Sequence, residues 1–159
     1  RDALTSLLVR RQFFVLAQEA VAEARKERRS LCAAMIDVDY FKQVNDRYGH
    51  LAGDIALRQL GAMLREEFPA PFICGRYGGE EFCIVAPGVE KQDFARRLEN
   101  FRSSVSSKPV QIGALSIVVS VSIGMAEQHA TDLESLISAA DGQLYTAKRE
   151  GRDRFVWQA

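Results

Sequence analysis

The stretch "LCAAMIDVD", Leu31 to Asp39, decides the architecture. Leu31 to Ile36 are unbroken apolar, with no polar residue at alternate places, so both faces of such a strand must be covered. That is the pattern of a central strand in a sheet packed on both sides. The run then ends in acid, with Asp37 and Asp39 flanking Val38. The Asp37 carboxylate there escapes the apolar layer and can reach a hard cation such as Mg²⁺.

Upstream, Phe13, Leu16, Ala17, Ala20, Val21 and Ala24 fall at helical spacing, which predicts an amphipathic helix over residues ~10–28. Downstream, a short helix through Phe41 and Val44 leads to a polar turn at "YGH". Leu57, Leu60 and Leu64 then mark a long helix that stops before Pro69. "FICGRY" and "EFCIVA" are predicted strands joined by Gly78-Gly79, a step suited to positive φ in a tight hairpin. Phe94, Leu98, Phe101 and Val105 give a further helix. "PVQIGALSIVVSVSIGMA" is predicted to be a hairpin with a long second strand. In it, Ile117, Val119, Val121 and Ile123 share one face, and Ser120 and Ser122 the other.

Thr131 and Glu134 make a capping-box pattern before a last helix striped by Leu133, Ile137, Ala140 and Leu144. Gly151 supplies its stop, and "RFVWQ" is a closing strand. Without repeats or a linker-like stretch, residues 1–159 form one α+β domain with about five strands.

Composition limits the function. The chain has 159 residues, 47% hydrophobic and 26% charged, as in an ordinary globular protein. Its 21 basic and 21 acidic residues balance to zero. That argues against a nucleic-acid polymer or an anionic membrane as partner. A small site gathering a few cations around a phosphate remains open. Cys32, Cys74 and Cys83 lack zinc-knuckle spacing and read as three free, buried thiols in a reducing compartment. No apolar run approaches the ~20 residues that span a bilayer. The chain opens with Arg1 rather than Met, so a fragment of a longer protein is expected. His50 and His129 lack zinc-ligand spacing, and no Ser-His-Asp or Cys-His arrangement can be assembled.

Three stretches carry chemistry. In "DVDYFKQVNDRYGHLAGD", Asp37 to Asp54, the turn after Asp39 opens a helix whose first amides, at Tyr40, Phe41 and Lys42, suit an anion. The plainer alternative is that acids near a helix start are favoured by the dipole alone. In "RYGGEEF", Arg76 to Phe82, two adjacent strands could set Glu80 beside Asp37 as a paired-carboxylate metal site. The alternative is a solvated hairpin tip. In "YTAKREGRDR", Tyr145 to Arg154, Lys148 and Arg152 could clamp a polyphosphate, or simply complement a helix C-terminus.

Taken together with "DALTSLLVRR" (Asp2 to Arg11), "SVSIGMA" (Ser120 to Ala126) and "ADGQLYTAKREGRDR" (Ala140 to Arg154), these motifs resemble, in order and spacing, the GGDEF domains of diguanylate cyclases. The resemblance covers essentially the whole chain. It implies a fold like the palm of nucleotidyl cyclases and polymerases: a central, mostly antiparallel five-stranded sheet surrounded by helices. It implies condensation of two GTP into cyclic di-GMP and two pyrophosphates by a homodimer, each domain carrying one GTP. By position, Asp37, the Val38 carbonyl and Glu80 would bind Mg²⁺ (or Mn²⁺), with Glu81 in support and Glu80 as proposed base.

Asn45 and Asp54 match guanine-reading positions, with His50 near the base or ribose. The amides of Phe41 and Lys42 would hold the β and γ phosphates, and the Lys42, Lys148 and Arg152 side chains would supply charge. Glu80 and Lys42 are the catalytic candidates. An upstream sensory domain is expected in the full-length protein, with this domain cytoplasmic whether or not that protein is membrane-tethered.

Two departures stand out. Ser6 and Val9 occupy places where the family usually has Gly and Asn, so the opening turn is expected to differ locally. Where many relatives carry an inhibitory Arg-x-x-Asp, this chain has "PAPF", Pro69 to Phe72, so no product inhibition is expected there. Rival readings are a catalytically silent GTP-binding or dimerising GGDEF module, and an adenylyl-cyclase or polymerase-palm relative. The intact acids weigh against the first and Asp54 against the second.

Overall fold

In a computed structural model, which describes residues 1–129 and 132–158, Leu31 to Ile36 lie in β1 (Ser30–Val38), the middle strand of a five-stranded sheet. The order is β2 (Ile73–Arg76), β3 (Glu81–Ala86), β1, β6 (Val121–His129) and β7 (Arg154–Trp157). All neighbours are antiparallel except β6 and β7, which run parallel. The helices are α1 (Arg10–Lys26), α2 (Phe41–Tyr48), α3 (His50–Glu67), α4 (Lys91–Ser107) and α5 (Leu133–Arg149).

The two-sided reading of β1 holds residue by residue. Ala33 and Met35 pack with Phe13 and Ala17 of α1 and with Leu136 and Ala140 of α5. Ala34 and Ile36 pack on the other face with Leu57 and Leu60 of α3 and Phe94 and Leu98 of α4. Each large side chain buried here contributes roughly 1.5–3 kcal/mol, and that is what holds β1 in the centre. Gly124 lets α5 approach β6 closely: a Cβ there would strike the backbone of Ala140 and Leu144. The close seating sets the end of α5 over the end of β1, where the acids are.

Two local expectations change. The predicted long strand from Ser116 onward is two elements. β4 (Val110–Ile112) and β5 (Leu115–Ile117) form a separate small hairpin, and the chain then breaks before β6 joins the main sheet. Ile117, Val119, Val121 and Ile123 are all buried nonetheless, so the alternation marked burial correctly and strand continuity wrongly. At α5, Thr131 of the predicted capping box lies outside the described residues. The cap is Asp132, whose carboxylate accepts the Ser135 N–H at 2.7 Å.

The opening turn around Ser6 is closed by two backbone hydrogen bonds. The Asp2 N–H donates to the Leu7 carbonyl and the Ser6 N–H to the Asp2 carbonyl, with Ser6 at a φ of 60°. A residue with a Cβ holds a conformation that costs roughly 1–2 kcal/mol relative to glycine. The three cysteines are free; Cys32 and Cys83 are buried and Cys74 is half-buried. No helix among the described residues is long and apolar enough to cross a membrane.

Candidate active site

A cavity of about 270 Å³ opens where β1 leaves the sheet. Its wall is the chain from Asp37 to Gln43, closed by Glu80 from the β2–β3 hairpin and by Lys148 and Arg152 at the end of α5. A larger hollow of about 920 Å³ lies at the other end of β1, between α1 and the β3–α4 turn. Its lining mixes apolar Leu16, Leu31 and Val89 with scattered charges at Glu19, Glu23 and Arg29, while its Lys91 and Glu127 already pair with one another. Size alone does not mark the site; the concentration of charge does.

Strand register sets the acids. Asp37, 7% exposed, lies opposite Glu81 on β3, so those two carboxylates share the sheet face covered by α5. Glu80 sits one residue out at the hairpin tip, its carbonyl accepting the Val38 N–H at 3.2 Å. Across the ladder the partner of Asp37 is therefore Glu81 rather than the expected Glu80, which reaches the same cavity from the tip. Burial pushes the Glu80 carboxyl above its usual range, and the charges of Asp37 and Glu81 push it further, against Lys148. Glu81 is raised in the same way, by burial first and then by Asp37.

One cation answers these acids directly: the Lys148 ammonium donates to Asp37 Oδ2 at 2.5 Å. Among the described residues no three acidic, histidine or cysteine side chains converge as a ready cage for an ion. The donor set nonetheless suits a divalent cation. Two carboxyls are raised by burial and by the charge of Asp37, Asp37 itself is buried, and a lysine stands where positive charge is favoured.

The hairpin tip does not use the predicted backbone. Neither Gly78 nor Gly79 takes positive φ. The tip is held from within the hairpin, by the Arg76 guanidinium at the end of β2, which donates to the Gly79 carbonyl at 2.7 and 3.2 Å. The same guanidinium donates to both carboxylate oxygens of Asp2, at 3.1 and 3.2 Å. Burial would raise the Asp2 carboxyl, but the hydrogen bonds from Thr5 and the charge of Arg76 bring it below its ordinary value. Nothing lies within 4 Å of where a Cβ on Gly79 would stand, so the tip is open to an approaching group.

On the other side, α2 begins after Tyr40, which adopts left-handed backbone at a φ of 54°, and no side chain caps the helix. The first-turn amides therefore face the cavity as an anion site. The Arg152 guanidinium stacks 4.7 Å from the centre of the Tyr40 ring. Lys42 is turned elsewhere: its ammonium pairs with Asp46 at 2.9 Å on an exposed helix surface. Such a pair is worth about 0–1 kcal/mol and is readily exchanged.

Asn45, His50 and Asp54 lie further along, where α2 packs on α3, and none lines the cavity itself. Asn45 Oδ1 is buried without a hydrogen-bond partner. Gly53 explains the fit, because a Cβ there would collide with Asn45 Oδ1 and meet the Phe41 ring. His50 and Asp54 are exposed, one helical turn apart on α3. Phe41 links the two halves, its amide at the phosphate side and its ring under Gly53.

Sequence reasoning gave no role to Arg76, Asp2, Gly53 or Asp39. The only available signal was their position inside motifs already singled out.

The chain matches, over residues 1–154, the family model described as diguanylate cyclase, GGDEF domain. It is 37% identical over 161 residues to diguanylate cyclase DosC of Escherichia coli K12, covering 99% of this chain and 35% of that protein. It is 33% identical over 159 residues to diguanylate cyclase A of Treponema denticola, covering 96% of this chain and 43% of the relative. The chain thus spans less than half the length of these two relatives. Among solved structures, the coiled coil and GGDEF domain of DgcB from Caulobacter crescentus, in complex with c-di-GMP, superposes with a TM-score of 0.94. That likeness has 32% identity and covers 99% of this chain and 84% of that one.

Proposed function

The chain belongs to the diguanylate cyclase GGDEF-domain family, and from that premise we propose that it condenses two GTP into cyclic di-GMP and two pyrophosphates. The observation that carries this is the meeting, in one cavity, of under-neutralised carboxylates and an uncapped helix start. One half suits a divalent cation and the other a polyphosphate. Two domains face each other, each presenting one GTP, so that the ribose 3′-hydroxyl of one attacks the α-phosphorus of the other.

Asp37, the Val38 carbonyl, Glu80 and Glu81 would hold Mg²⁺, or Mn²⁺ in its place. When bound, the ion supplies Lewis-acid stabilisation to the nucleophile and the phosphate oxygens. Glu80, its carboxyl raised by burial and like charge, is matched to accept the proton of the attacking hydroxyl. The amides of Phe41 and Lys42 bind the β and γ phosphates. Lys148 and Arg152 neutralise them, and Lys42 joins by exchanging its exposed pair with Asp46. The unpartnered Asn45 Oδ1 and the Asp54 carboxylate accept hydrogen bonds from guanine N1–H and the 2-amino group. Adenine offers no such pair of donors on that edge, so GTP is selected over ATP. His50 borders the base or ribose.

The test is incubation of concentrated protein with GTP and Mg²⁺, with products separated by chromatography. Cyclic di-GMP and pyrophosphate are expected from GTP and no corresponding product from ATP. Added cyclic di-GMP should leave the rate unchanged at residues 69–72, where "PAPF" carries no charge. GTP binding without any product at a concentration where the domain is dimeric would overturn the cyclase reading in favour of a silent module.

A further inference from the structure

Asp39 is 5% exposed, two residues beyond Asp37, and borders the same cavity. Its carboxylate accepts three hydrogen bonds from neutral donors: Ser120 Oγ at 2.6 Å, Ser122 Oγ at 2.6 Å and the Asp153 backbone N–H at 3.0 Å. Its own N–H donates to the Ser120 carbonyl at 2.9 Å. One side chain thus ties the end of β1 to the start of β6 and to the turn between α5 and β7.

Both tied turns are strained. Tyr40, the next residue, has a φ of 54°, and Arg152 and Asp153 have φ of 64° and 44°. Consecutive left-handed residues with side chains persist only where their surroundings hold them. Asp153 is also gripped from α4, by Arg102 at 2.8 Å and Ser106 Oγ at 3.0 Å on the same carboxylate oxygen. The strained residues are those that present the phosphate side of the cavity: Tyr40 precedes the open amides of α2, and Arg152 lies over the Tyr40 ring.

We propose that Asp39 is a positioning residue for the triphosphate end of the nucleotide, holding the α2 amides and Arg152 in register through Ser120, Ser122 and the Asp153 N–H. The proposal rests on the nucleotide reading of this cavity. Asp39 does not touch the nucleotide. As an anion beside a polyphosphate it would on its own weaken binding, so positioning and simple electrostatics predict opposite signs on its removal.

The experiment titrates 3′-deoxy-GTP, which lacks the attacking hydroxyl, and GMP in parallel, with Mg²⁺ present, into wild type, Asp39→Ala and Asp39→Asn. Wild type is expected to prefer the triphosphate. Asp39→Ala should lose roughly 10-fold in triphosphate affinity, as expected for lost hydrogen bonds to a charged group, with GMP affinity nearly unchanged. Asp39→Asn, which keeps an acceptor for the Asp153 N–H, should recover most of the loss. If Asp39→Ala does not fold, the double variant Ser120→Ala/Ser122→Ala leaves the carboxylate and removes two donors, and the same selective loss is expected.

Equal loss on both ligands would reduce Asp39 to a structural residue. Unchanged or tighter triphosphate binding in the variants would overturn the proposal. A wild type that does not prefer the triphosphate would remove the nucleotide reading and this proposal with it, and that failure shows before any variant is compared.

Discussion

Asp37 and Asp39 are buried carboxylates two residues apart, and their surroundings are opposite in kind. Asp39 is satisfied by three fixed donors of neutral groups. Asp37 holds one long, movable lysine and faces two further acids whose carboxyls are raised. Hydrogen bonds to rigid neighbours stabilise a buried charge without needing a ligand. Like charges gathered around a single flexible cation are left short of positive charge, and they bind whatever supplies it. The first arrangement builds a scaffold and the second a site. The difference lies in who answers the charge, not in the residue type or its depth.

Four substitutions would break or sharpen that contrast. The largest effect is expected from Glu80→Gln, which keeps shape and removes charge and basicity. Turnover of GTP should fall at least ~100-fold, the lower range for removing a general base, with the fold intact by circular dichroism. Activity near wild type would remove Glu80 from the chemistry. Next comes Gly53→Ala, away from the acids, which forces Asn45 and Phe41 to move. KM for GTP should rise roughly 10-fold through one disturbed base contact, while stabilisation by Mg²⁺ alone stays unchanged. Loss of both together would mean that the base side and the acid side are not separate regions.

Smaller still is Ser6→Gly, which relieves the left-handed serine in the opening turn. It should raise stability by about 1 kcal/mol or less, read from chemical denaturation, with no change in turnover. The smallest effect concerns pH. Glu80 and Glu81 titrate higher folded than unfolded. Their contribution is therefore full below the ordinary carboxylate range and lost as pH rises through the raised folded values. Without divalent ions, Glu81→Gln should melt slightly above wild type at pH 7, and the gap should close on acidification to about pH 4. Mg²⁺ should then raise the wild type more than the variant. The opposite order would mean that these acids are not short of positive charge.

The elements were legible wherever burial was periodic. Phe13 with Ala17, Leu57 with Leu60, and Phe94 with Leu98 marked the helix faces that the sheet covers. Legibility failed where a side-chain contact or a break in the chain, not periodicity, decided the backbone. Gly78-Gly79 looked like a positive-φ turn but is held by Arg76. The run after Ser116 looked like one strand because alternating burial continues across its break. Of the candidate site residues, the structure gathers Asp37, Val38, Phe41, Lys42, Glu80, Lys148 and Arg152 around one cavity. It leaves the Lys42 side chain on Asp46 and sets Asn45, His50 and Asp54 in the adjoining α2–α3 region.

By itself the sequence determined a two-sided central strand, the stripes that cover it and the acids at its end, because apolar spacing and composition are local properties. Which acids meet, and what each meets, was decided only in three dimensions. Lys148 reaches Asp37 across 111 residues, and Asp39 draws its donors from 81 to 114 residues away. Such pairings depend on strand register and on how closely α5 seats on Gly124. No local pattern carries that information, and it is what separates the carboxylate of a scaffold from the carboxylate of a site.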